Sequence, residues 1–132
     1  MLSLPQALER LLAAVRPLAE TEPVATFDAL GRVLARGVAS AIDVPPQDNT
    51  SMDGYAVRAA DIAAPGTVLP VAQRIPAGVV GQPLAAGTAA RIFTGAQIPP
   101  GADAVVMQEQ TAAVDGGVRF DTVPTAGQWV RR

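Results

Sequence analysis

Between Asp43 and Asp61 the chain reads DVPPQDNTSMDGYAVRAAD, and this stretch divides a helical beginning from a β-patterned remainder. Its nineteen residues hold four carboxylates, Asp43, Asp48, Asp53 and Asp61. Pro45 and Pro46 preset backbone angles, Asn49, Thr50 and Ser51 carry short side chains that bond nearby main chain, and Asp53-Gly54 suits a tight turn with positive φ. A loop that fixes acidic groups is expected, and function is sought there first.

Upstream, Ser3 and Gln6 form a capping box, and Leu4, Leu8, Leu11, Leu12 and Val15 recur at helical spacing until Pro17. This predicts a helix over residues 4 to 16. A second helix is expected from Thr26 or Phe27 to Arg36, with Leu30, Val33 and Leu34 as its stripe and Gly37 as its stop. Downstream, glycines and prolines punctuate β-prone runs at 67–71, 90–93, 104–107 and 117–120, and Gln128 to Arg132 reads as the start of another strand. No helical pattern separates these runs, which favours an antiparallel barrel or folded sheet over a βαβ arrangement. The fold class expected is mainly β with two amino-terminal helices, residues 1–42 forming a helical linker segment and 43–132 a β-rich domain.

Composition narrows the chemistry. The 132 residues are 49% hydrophobic with a formal charge of −2, enough for one core and no broad attraction for nucleic acid. All ten basic residues are arginine, so lysine Schiff-base chemistry and a Walker-type lysine are excluded. Without histidine or cysteine there is no thiol nucleophile, Ser-His triad or zinc site of the usual kind. What remains suits a hard cation such as magnesium, or an oxyanion. No apolar run reaches membrane-spanning length, and the absence of cysteine is compatible with a cytoplasmic protein.

Three motifs are candidates, each with a plainer structural reading. Asp53 in Asp53-Gly54-Tyr55-Ala56 is a carboxylate aimed into a pocket or part of an ordinary hairpin turn; Asp43, Asp48 and Asp61 are nearby in sequence, although Asp61 also looks like a cap. Thr94 with open amides at Gly95 and Ala96 forms an oxyanion nest or an exposed turn. Glu109, ending the run Ala104 to Met107, is a site residue or a solvated strand end.

Taken together, ALGRVLA at 29–35, DVPPQDNTSMDGYAVR at 43–58, RIFTGAQIPPGADAVVMQEQ at 91–110 and GQWVRR at 127–132 resemble the amino-terminal region of the MoeA family, the molybdopterin molybdenumtransferases, related to the gephyrin E domain. The resemblance implies an enzyme that inserts molybdate into adenylated molybdopterin and releases AMP, using magnesium or a similar divalent ion. It also implies a cytoplasmic homodimer whose acidic loop faces a cleft shared between subunits, with the molybdopterin adenylyltransferase as a further partner. Asp53 and Thr94 fall on catalytic positions; Ser51, Gly54, Gly95 and Glu109 on substrate or anion-binding ones; Asp53 and Asp48 on a metal site. The family's pterin-binding α/β domain would follow Arg132, so the isolated chain is expected to be inactive. A non-catalytic dimerisation or scaffolding module of gephyrin-like type is the alternative. Gln47 departs from the family pattern, standing where many relatives place an aromatic residue.

Overall fold

The computed structural model describes all residues from Met1 to Arg132, which divide into two compact units, Met1–Ala39 and Ser40–Arg132.

The first unit contains one α-helix, α1 (Leu4–Ala14). At its start the Ser3 amide donates to Gln6 Oε1 at 3.0 Å, within the capping box expected there. It stops short of residue 16 because Pro17 restrains the residue before it and Val15 is already extended, with ψ 130°. The second helix does not form. Thr26–Asp28 makes a single 3-10 turn, and Gly31 then takes φ 80°, a left-handed conformation that ends any α-helical run. Leu30, Val33 and Leu34 are exposed, so no burial offsets the cost of nucleating so short a helix.

The second unit is built from nine short strands, β1 (Asn49–Thr50), β2 (Gly54–Val57), β3 (Val68–Leu69), β4 (Val71–Ile75), β5 (Ala89–Ile92), β6 (Ala104–Met107), β7 (Thr111–Val114), β8 (Gly117–Phe120) and β9 (Val130–Arg131). They form a four-stranded sheet ordered β4-β5-β2-β6, a three-stranded sheet β3-β8-β7 and a two-stranded ribbon β1-β9. The barrel expected as one option is not closed: β4 and β6 remain as edges. All pairings are antiparallel except β4 with β5, so the β4–β5 link is a crossover without a helix. Gln73 ties that link down by pairing its side chain with both the amide and the carbonyl of Gln82.

The four-stranded sheet is covered on both faces, and its alternating residues supply two cores. Ala56, Ile75, Ala90, Ile92 and Val105 pack with Leu84, Ala96 and Ile98 from the connecting loops. On the opposite face Val57, Ala89, Ala104 and Val106 meet Leu69, Val118 and Phe120 of the three-stranded sheet. Tyr55 meets Phe120 edge to face, with ring centroids 6.1 Å apart.

Gly54 corrects a local expectation. It is the first residue of β2 rather than a positive-φ turn, and it is buried where β2 crosses β6. A Cβ there would lie 2.0 Å from the Val106 carbonyl oxygen, so glycine is required for close approach rather than for its φ. Asp53 therefore stands at the entrance to a central strand.

Candidate functional site

Asp53 and Thr94, 41 residues apart, are brought together by the pairing of β2 with β5. The Thr94 amide and hydroxyl both donate to Asp53 Oδ1, each at 2.7 Å. The Asp53 main-chain oxygen accepts from the Gln108 amide at 3.0 Å. The carboxylate is thus held at one oxygen, while Oδ2 accepts nothing from the chain. These contacts hold its carboxyl below the usual aspartate range, chiefly through the Thr94 amide, then the Thr94 hydroxyl, with the Arg91 charge adding to the effect against partial desolvation. Asp53 is ionised at neutral pH.

Arg91 and Gln108 complete this arrangement. Arg91 Nη1 donates to the carbonyls of Gly54 (2.8 Å) and Ile92 (2.6 Å), and Nη2 donates to Gln108 Oε1. The guanidinium links β2, β5 and the 3-10 turn Gln108–Gln110, closing a ring of contacts around Asp53. Neither residue was among the candidates. The one signal in sequence was a charge inside an otherwise apolar strand, AARI.

Thr50 anchors the other side. It is fully buried; its hydroxyl donates to the Met52 carbonyl (2.7 Å) and accepts from the Met52 amide (3.1 Å), while its own amide and carbonyl bond Ala96 and Gly95. The acidic loop and the Thr94 turn are therefore one body.

The remaining candidates are placed as follows. Gly95 and Ala96 do not offer an oxyanion nest: the Gly95 amide donates to Thr50 O (2.9 Å) and the Ala96 amide to Phe93 O (2.8 Å), and each amide has one proton to give. Ser51 turns its hydroxyl onto the Trp129 carbonyl at 3.2 Å, where its amide also donates, bracing a tryptophan held at φ 56°. Glu109 is exposed in the 3-10 turn beside Gln108. Asp48 lies 3.7 Å from Arg132 Nε at the rim of a groove of about 880 Å³ walled by Pro45, Pro46 and Ile98. Asp61 accepts from the distant Gly87 amide at 2.8 Å rather than capping a following turn. Asp53 lines neither that groove nor a smaller cavity of about 230 Å³ beside Asn49 and Gly95.

No three carboxylates gather in the structure. That rules against a self-sufficient cation cage but fits magnesium in its usual role, bound to one or two carboxylates and otherwise to water and substrate phosphate. Oδ2 of Asp53 is the carboxylate oxygen the site leaves without a donor from the chain.

A mainly β domain with an ionised, threonine-braced aspartate at a sheet end defines the class. The chain belongs to the family described as the MoeA N-terminal region (domain I and II), which it matches over residues 2–132. It is 47% identical over 119 residues to the molybdopterin molybdenumtransferase of Nostoc sp., an overlap covering 85% of this chain and 27% of the relative. To that of Haemophilus influenzae it is 38% identical, covering all of this chain and 33% of the relative. The crystal structure of a molybdopterin biosynthesis moeA protein from Pyrococcus horikoshii superposes with a TM-score of 0.73 at 35% identity, over 96% of this chain and 35% of that one. The chain thus spans about a third of the length of these relatives. No helix is long and apolar enough to cross a membrane.

Proposed function

We propose that this chain is the amino-terminal part of a molybdopterin molybdenumtransferase, a cytoplasmic enzyme of molybdenum cofactor biosynthesis that inserts molybdate into adenylated molybdopterin and releases AMP. The observation that carries the reading is the Asp53–Thr94 pair, which keeps one carboxylate oxygen anchored and the other available. Molybdate is a dianion and the adenylated pterin bears a pyrophosphate, so the reaction requires like charges to meet. Asp53 is the residue of this domain that would hold magnesium, which would supply charge neutralisation there. Thr94 orients the carboxylate, and Arg91 and Gln108 hold the strand end on which both stand.

The pterin pocket belongs to the remainder of the protein, and the cleft over Asp53 is completed by a second subunit. Exposed Leu4, Leu8, Leu11 and Leu12 on α1 support a homodimer, since such a stripe gains stability only when covered. The molybdopterin adenylyltransferase is the partner that supplies the adenylated substrate.

The test is Asp53→Asn in the complete enzyme. The amide keeps a carbonyl oxygen for Thr94 and removes the charge. Folding should be retained, while metal insertion and AMP release fall by about two orders of magnitude, the scale associated with losing one preorganised electrostatic group. A normal insertion rate in a well-folded variant would remove Asp53 from the mechanism.

A further inference from the structure

Arg74 and Arg91 face each other in register across the parallel pair β4 and β5, in a row that continues through Tyr55 to buried Val106. Both guanidiniums lie over the same ring, Phe93, with their central carbons 4.4 and 4.3 Å from its centroid. Sharing that centroid puts the two cations under about 9 Å apart, within a Debye length of roughly 10 Å at 0.1 M salt, so bulk ions screen their repulsion incompletely. Like charges directly opposite across strands are disfavoured. Yet neither arginine forms a salt bridge, although Asp53 feels the Arg91 charge, whereas Arg32, Arg58, Arg119 and Arg132 each form one.

The hydrogen-bonding capacity is also unspent. Arg91 gives three of the five protons a guanidinium carries to neutral oxygens, leaving two. Arg74 donates none to the chain and is exposed. Contact with Phe93 restrains both guanidiniums before any ligand arrives, which lowers the entropy lost on binding. Phe93 immediately precedes Thr94, which holds the Asp53 carboxylate, and the Arg91 charge acts on that carboxylate.

We propose that Arg74 and Arg91, stacked on Phe93, form a subsite for a tetrahedral oxyanion next to Asp53, a role matching either free molybdate or a phosphate of the nucleotide. A cation-binding carboxylate and an oxyanion-binding arginine pair then stand side by side. The proposal deepens the molybdenumtransferase reading and rests on it for the ligand's identity, while binding itself is measured without pterin, metal or turnover.

The experiment follows the arginine Nε–H signals of the 132-residue chain by nitrogen-proton correlation NMR during separate titrations with sodium molybdate and AMP, sodium chloride serving as the ionic-strength control. Saturable shifts of Arg74 and Arg91 are expected with at least one oxyanion and not with chloride. Arg74→Gln, at an exposed position, should weaken that binding about tenfold, the effect of losing one charged donor group. Arg91→Lys keeps charge but loses the fork and should weaken it as well. Response to molybdate alone assigns the free dianion, response to AMP alone the nucleotide phosphate, and response to both the shared chemistry. No shift with either oxyanion, equal shifts with chloride, or undiminished binding in Arg74→Gln would overturn the subsite. Oxyanion binding with normal insertion in Asp53→Asn would instead retain the subsite and reject the role of Asp53.

Discussion

Substitution at Gly54 separates two reasons for a glycine beside the key carboxylate. If the residue served a left-handed turn, asparagine would be tolerated at a cost under about 1 kcal/mol, since Asn visits that region readily. The structure gives a different outcome. A Cβ at Gly54 would sit 2.0 Å from Val106 O, whereas ordinary contact begins at 3.4 Å, so β2 and β6 would have to part by about 1.4 Å. Stretching a 2.9 Å hydrogen bond by that amount breaks it. Gly54–Val57 is in register with β6 throughout, and the same displacement opens the packing of Val105 and Val106. Losing two or three ladder bonds at about 1 kcal/mol each, with overpacking of 1–3 kcal/mol, gives a cost of about 4 kcal/mol for Gly54→Ala and no less for Gly54→Asn. At roughly 4–8 °C per kcal/mol for a domain of this size, Tm falls by about 15–30 °C. Urea unfolding followed by the fluorescence of Trp129, the sole tryptophan, measures this. A Gly54→Asn variant within about 1 kcal/mol of the parent would refute the close-approach argument.

Three further outcomes are expected. Thr94→Val removes the hydroxyl that donates to Asp53 Oδ1, so the Asp53 carboxyl should titrate at higher pH, nearer the ordinary aspartate value, in carboxyl-carbon NMR; an unchanged midpoint counts against the contact. Because the folded-state value is depressed, the stability contributed by ionised Asp53 is present above its unfolded pKa and lost as pH falls through the folded one, and in this variant that loss should begin at higher pH. Thr50→Val preserves shape but leaves the Met52 amide without its side-chain acceptor, which should cost about 1–3 kcal/mol in chemical denaturation; a neutral result would show that water replaces the hydroxyl. Phe120→Ala empties the interface between the two larger sheets and should cost about 3–5 kcal/mol, with a loss under about 1 kcal/mol contradicting the packing described.

What the sequence reveals follows the strength of local signals. Ala104 to Met107 and Gly117 to Phe120 are legible as strands because β-branched and aromatic residues are bounded by glycines and prolines. Thr111–Val114 is not, because two of its four residues are alanine, a weak strand former stabilised here by pairing with β8. The second helix has the right stripe, but periodicity alone does not reveal that Gly31 will turn left-handed or that the stripe will lack a partner. Asp53 and Thr94 stand out only as separate turns, and family resemblance joins them. Their hydrogen bonds, and the parts played by Arg91, Gln108 and Thr50, depend on long-range strand register. The expected nest at Gly95 fails for the same reason, since its amide is taken by a residue 45 positions earlier, Thr50.

The long sequence separation of the site's supports has a consequence for vectorial synthesis. Asp53 leaves the ribosome before Thr94, its partner 41 residues on, and Ser51 precedes Trp129 by 78. At roughly 5–20 residues per second, the acidic loop spends about 4–16 s in the nascent chain before its last brace is made. The Asp53 carboxylate oxygen has no donor until Thr94 emerges, so a stalled translation product ending before that residue would carry the right letters without the anchored oxygen.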